Sequence, residues 1–93
     1  MEHIYISRIG DGNIILELKK SLEEESLEEL VESYNNQVRI GIVGAHRQGL
    51  HLLAMRKEFM ERLGESPVYV EENVLISLTG KIRLENGKIK HVD

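Results

Sequence analysis

Gly10-Asp11-Gly12-Asn13, running into Ile14-Ile15-Leu16-Glu17-Leu18, governs how the first third of this chain is read. Two glycines, an Asp and an Asn in succession form a dense turn signal. Before the turn, Ile4, Ile6 and Arg8 fall on one side of a period-2 segment and Tyr5, Ser7 and Ile9 on the other. After it, Ile14, Ile15, Leu16 and Leu18 make a second apolar run. Two such runs joined by a tight turn predict a β-hairpin.

Working outward, Ser21-Leu22-Glu23-Glu24 and Ser26-Leu27-Glu28-Glu29 both place a Glu three residues after a Ser, the capping-box spacing. Leu27, Leu30, Val31 and Tyr34 then share one helical face, and the acids crowd the first turns, where the helix dipole favours them. Asn35-Asn36 is expected to end this helix. Val38, Ile40, Ile42 and Val43 predict a short strand, and Gly44 to Gly49 a loop. Leu52, Met55, Phe59 and Leu63 form the stripe of a second helix over Leu50 to Leu63, closed by Gly64 and by Pro67. Val68-Tyr69-Val70 and Val74 to Leu78 read as strands. Lys81 to Glu85 and Lys88 to Val92 flank Asn86-Gly87, a strong hairpin signal. The resulting order is ββαβαββ: an α+β or mixed α/β fold, with a single-layer mixed sheet, two helices and a C-terminal hairpin. The step from Ile40 to Val70 suggests a crossover and parallel pairing.

Ninety-three residues predict a single domain, 1–93. The hydrophobic share of 41% and charged share of 30% are those of a globular domain rather than a disordered tail or a membrane protein. With no cysteine, disulfides, zinc–thiolate sites and thiol catalysis are excluded. With no Trp and only Tyr5, Tyr34, Tyr69 and Phe59 aromatic, binding of single strands by base stacking is disfavoured. A net charge of −4 argues against broad duplex DNA binding. Met1-Glu2-His3-Ile4-Tyr5 has no basic stretch leading into an apolar run, so the expected location is cytoplasmic. Small cores of this size are often completed by a partner copy.

The joint from Gly44 to Gly49 is the most informative place for chemistry. Backbone N–H groups at a helix start, with the positive end of the dipole, favour an anion. Gly44, Ala45, Arg47, Gln48 and Gly49 are therefore the candidate ligand-binding residues. From Val38 through Lys57 there is no acid, but there are Arg39, Arg47, Arg56 and Lys57. A phosphate-bearing ligand suits such a patch. The alternative is that the glycines only make a tight turn and the arginines are solvated. The loop lacks the Lys-Ser/Thr pair of a P-loop, and neither H-E-x-x-H nor a nucleophile elbow occurs. Glu71-Glu72 follows a strand, where it could hold a divalent cation or act as a base, or simply form a charged turn. Lys81, Arg83, Lys88 and Lys90 alternate along the last hairpin, as on strand edges protected from aggregation.

Ile14-Ile15-Leu16-Glu17-Leu18 after the Gly/Asn turn, the acidic helix around Leu27 to Leu30, Ile40-Gly41-Ile42-Val43-Gly44, and Leu50-His51 at the long helix carry a resemblance. So do Val68-Tyr69-Val70 and Val74 to Leu78. Together they resemble the small Csx-type CRISPR-associated ring nucleases, over nearly the whole chain. The resemblance implies binding of cyclic tetra-adenylate across the two-fold axis of a homodimer, with cleavage that can depend on manganese. Where that family has Asp-Pro-Arg-Leu-Gly, this chain has Glu71-Glu72-Asn73. Binding thus carries over better than cleavage. For cleavage, a ribose 2′-hydroxyl would attack its neighbouring phosphate. The loop amides and Arg47 would steady the phosphate oxygens, His46 or His51 would protonate the leaving 5′-oxygen, and Glu71 or Glu72 would hold a cation. Two further readings stand beside this one: a non-catalytic module for an anionic nucleotide or RNA, and a small dimeric scaffold.

Overall fold

The computed structural model describes residues 2–72 and 74–92. Asn73, the third residue of the Glu71-Glu72-Asn73 departure, lies outside them. The elements are β1 (Glu2–Ile4), α1 (Asp11–Glu23), α2 (Leu27–Ile40), α3 (His46–Leu63), β2 (Val68–Glu71), β3 (Leu75–Leu78), β4 (Ile82–Glu85) and β5 (Lys88–His91). The α+β class is as expected; the order of elements differs.

The first difference is at Gly10 to Leu18, where a helix replaces the second arm of a hairpin. Gly10 adopts φ 91°, a left-handed conformation that favours glycine, and caps α1. The apolar run fits two periods. Read at 3.6 residues per turn, Ile15, Leu18 and Leu22 share a face, and Ile15 and Leu22 are buried. α3 packs against that face and supplies the burial that selects the helix. The second difference is at Val38. It continues the α2 stripe of Leu27, Leu30, Val31 and Tyr34, so the helix runs on past Asn35-Asn36 to Ile40. Gly41, at φ 86°, stops it. Ile42 to Ala45 is a loop, and α3 begins at His46 rather than Leu50. The strand–helix crossover is thereby lost, and all described strand pairs are antiparallel. A single mixed sheet is replaced by a three-stranded sheet, β1-β3-β2, and a two-stranded β4-β5 hairpin.

Other elements follow the sequence closely. Ser26 caps α2 through a full capping box with Glu29. Gly64 closes α3 at φ 72°. Asn86 and Gly87, both at positive φ, turn β4 into β5. Leu30, Tyr34, Leu52, Met55, Phe59, Val68 and Ile76 are fully buried and join the helices to the first sheet. The hairpin is tied in by polar groups. Asn35 donates to the Ile82 carbonyl and accepts from the Ile82 amide, both at 2.8 Å. Lys19 on α1 pairs with Glu23, Glu58 and Glu61, and Arg62 pairs with Glu58, linking α1 to α3. Among the described residues no helix is long and apolar enough to cross a membrane.

Candidate functional site

β1 alternates its side chains, so His3 and Tyr5 turn inward and Ile4 and Ile6 outward. The inward pair lies on α3 at Gly49. A Cβ there would stand 3.0 Å from His3 Nε2 and 3.4 Å from Tyr5 Cδ1, so the absence of a side chain lets strand and helix cross. The next residues bend back, and the Arg8 amide donates to Asp11 Oδ2 at 2.7 Å.

Asp11 is the centre of the arrangement. It is 5% exposed, and its Oδ2 also accepts the Tyr5 hydroxyl at 2.6 Å. His46, the first residue of α3, brings its Nε2 to 3.0 and 3.1 Å from the two Asp11 oxygens. The His46 ring stacks on Tyr5, with centroids 5.3 Å apart and planes 16° from parallel. The Tyr5 hydroxyl, then the Arg8 amide and His46, hold the Asp11 carboxyl down at about 2 against the opposing effect of burial. Burial and the bond to Asp11 push the Tyr5 hydroxyl up. At neutral pH Asp11 is thus an acceptor only. The His46 Nε2 must then carry the hydrogen, which leaves Nδ1 for chemistry.

Beside this couple is a cleft of about 160 Å³, lined by His3, Ile4, Ile6, Arg8, Gly44 and His46. His3 is 5% exposed and its Nδ1 has no hydrogen-bond partner. The start of α3 is nearby, and Ala45 there offers no side-chain cap to the first-turn amides. Among the described residues no acid lines the cleft itself.

Of the residues expected at the site, Gly44 and His46 line the cleft, and Ala45 lies between them as the N-cap of α3. Arg47 is exposed on the first turn of α3. Gln48 is committed elsewhere: it donates to the Gln37 side chain and the Gly41 carbonyl and accepts from the Val43 amide, so it clamps the α2–α3 loop. Gly49 is buried against His3 and Tyr5. His51 is five residues beyond His46, about 140° around the helix, and so faces elsewhere. Burial lowers its pKa, with Arg47 acting the same way and Glu25 opposing. Glu71 ends β2 and Glu72 follows in the turn; both are exposed, and neither lines the cleft. Glu23, Glu58 and Glu61 bring carboxylate oxygens within 4.8 Å of one another, but the Lys19 ammonium already pairs with all three.

His3, Tyr5, Arg8 and Asp11 were not legible as site residues. The available signals were the shared inward face of His3 and Tyr5 and the rarity of aspartate, of which the chain has only Asp11 and Asp93. The chain matches no family model, and neither the curated proteins nor the solved structures offer a match.

Proposed function

We propose that the cleft beside Asp11–His46 binds a phosphate-bearing ligand, and that His46 handles a proton in its cleavage. The observation that carries this reading is the Asp11–His46 couple: a carboxylate fixed by two other donors and hydrogen-bonded to an imidazole at the start of a long helix. Such a couple fixes one tautomer and aims the other nitrogen. Arg8, which lines the cleft, and the α3 amides supply donors suited to phosphate oxygens.

The specific ligand we propose is cyclic tetra-adenylate, which the sequence resemblance implies. The ribose 2′-oxygen attacks its own neighbouring phosphorus and the P–O5′ bond breaks, giving a 2′,3′-cyclic phosphate and a 5′-hydroxyl. The 2′-hydroxyl proton passes to water. Protonated His46 gives its Nδ1 proton to the leaving 5′-oxygen, while Asp11 keeps the Nε2 hydrogen in place. Manganese has no step in this scheme, because Glu71 and Glu72 stand apart from the cleft. A cleft of about 160 Å³ is below the roughly 300–1,000 Å³ of typical small-molecule sites, so one cleft holds one phosphoryl group. Enclosing a cyclic tetranucleotide takes two clefts, which a homodimer would provide.

The test mixes the purified protein with cyclic tetra-adenylate, with and without manganese. Linear product supports the ring nuclease, and His46→Gln should then slow cleavage about 100-fold or more while binding persists. Tight binding without product supports the non-catalytic nucleotide- or RNA-binding module. No thermal shift with any cyclic oligoadenylate removes both and leaves the dimeric scaffold.

A further inference from the structure

The hairpin β4–β5 has one edge that nothing in the chain completes. Glu85 and Lys88 close the two-residue turn Asn86-Gly87, so they exchange backbone hydrogen bonds, and Arg83 and Lys90 do the same two residues on. The Val92 amide on the Lys81 carbonyl, at 3.0 Å, continues that ladder. The amides and carbonyls of Ile82 and Leu84 therefore point away from β5. No strand stands on that side. Asn35 takes the place of one at Ile82, where its carboxamide both donates and accepts at 2.8 Å. Among the described residues nothing does so at Leu84. Beside this edge, between β4 and α2, lies a groove of about 570 Å³. Lys81 and Arg83 line it on the β4 side, and Glu28 and Glu32 on the α2 side. No ion pair bridges the two walls among the described residues, and Arg83 pairs only with Glu85 of its own strand.

We infer that two copies of this chain join edge to edge at β4, with Leu84 against the partner's Leu84. A two-fold axis through that pair lets each Leu84 amide donate to the other copy's carbonyl and keeps the same hairpin face outward in both copies. The register then sets Arg83 directly opposite the partner's Glu85, and Glu85 opposite the partner's Arg83. Both residues are exposed, so the edge is charge-complementary to itself. Within one copy Arg83 stands opposite Lys90, a like-charge pairing that costs stability and that a neighbouring carboxylate offsets. The adjacent register, Ile82 against the partner's Leu84, would displace Asn35 and set Arg83 against the partner's Arg83. In the favoured register the partner's Asn86-Gly87 turn comes to the Ile82 end, where the groove has room for two short residues. The turn brings the partner's Lys88 with it, and Glu28 and Glu32 offer carboxylates that pair with no cation among the described residues. This inference does not rest on the phosphate reading; it assigns the surface that joins two copies.

The test is sedimentation of the whole chain over a range of concentrations, with circular dichroism to confirm that each variant folds. The native chain should show a monomer–dimer equilibrium. Arg83→Glu and Glu85→Arg should each weaken self-association roughly tenfold or more, since each turns two attractive cross-strand pairs into repulsive ones. An equimolar mixture of the two variants should dimerise again, because each chain's two like charges then meet their opposites. Glu17→Arg, at an exposed position on α1, makes the same change in net charge as Glu85→Arg and should leave association unchanged. A dimer indifferent to the β4 variants, one weakened equally by Glu17→Arg, or a mixture that stays monomeric would overturn the inference and leave the phosphate reading standing. A native chain that remains monomeric at millimolar concentration would overturn both this interface and the pairing of two clefts, while phosphate binding in a single cleft is still decided by its own test.

Discussion

The hydroxyl of Tyr34 ties three parts of the chain together, and removing it makes a quantitative test of the fold. Tyr34 is fully buried on α2. Its hydroxyl donates to the Gly80 carbonyl at 2.8 Å and accepts the Thr79 amide at 3.2 Å. Tyr34→Phe keeps the ring and its edge-on contact with Phe59, whose centroid lies 6.0 Å away at 87°. The Thr79 amide retains the Pro67 carbonyl at 3.3 Å. The Gly80 carbonyl loses its Tyr34 donor, and such a loss costs about 1–3 kcal/mol. In a domain of this size, about 2 kcal/mol lowers Tm by roughly 8–16 °C. Urea unfolding followed by circular dichroism should show a lower midpoint with an unchanged slope. Tyr69→Phe is the control, since Tyr69 is half-exposed and the change should stay within about 0.5 kcal/mol. A Tyr34→Phe loss below about 0.5 kcal/mol would refute the claim that this hydroxyl joins α2 to the loop between β3 and β4.

Two further outcomes concern charge. Tyr5→Phe removes the largest influence holding Asp11 at about 2, so a carbon-detected NMR titration should show that carboxyl rising toward its ordinary 3.8. Because the folded value lies below the unfolded one, Asp11 stabilises the fold above about pH 4, and that contribution fades as pH falls toward 2; the variant should lose it at higher pH. His51 is lowered by burial, so its neutral form stabilises the fold above the ordinary value of 6.5 and protonation weakens it below. Urea midpoints should therefore fall more between pH 7.5 and 5.5 in the native chain than in His51→Gln, and identical falls would contradict this placement.

The parts of the fold legible in the sequence are those set by local chemistry. The Ser26–Glu29 box, the Gly64 stop and the Asn86-Gly87 turn each carry their own geometry, and each is where the residues put it. The two misread segments are short apolar runs that suit both periods. Ile14, Leu16 and Leu18 alternate, while Ile15, Leu18 and Leu22 share a helical face, and only the packing partner decides. Val38 is the same case at the end of α2, where Gly41 rather than Asn35-Asn36 marks the stop. The candidate site was half legible for a related reason. Gly44 and His46 belong to a local joint, but Asp11 reaches His46 only once α1 packs on α3, 35 residues away in sequence.

That long-range half changes what the site can be. Read from the acid-free stretch alone, it is a patch of positive charge, and any anion would do. The structure places a carboxylate beside the histidine and fixes it with the Tyr5 hydroxyl and the Arg8 amide. A site built only to attract anions gains nothing from a buried negative charge, which repels the ligand and is costly to desolvate. A site in which one imidazole nitrogen keeps its hydrogen while the other hands a proton to a leaving oxygen gains a great deal. Asp11 therefore argues for proton handling at His46 over simple charge attraction. Asp11→Asn separates the two: on the proposed reading, loss of the carboxylate should strengthen phosphate binding and slow the proposed cleavage, whereas a purely electrostatic site would improve with no accompanying loss.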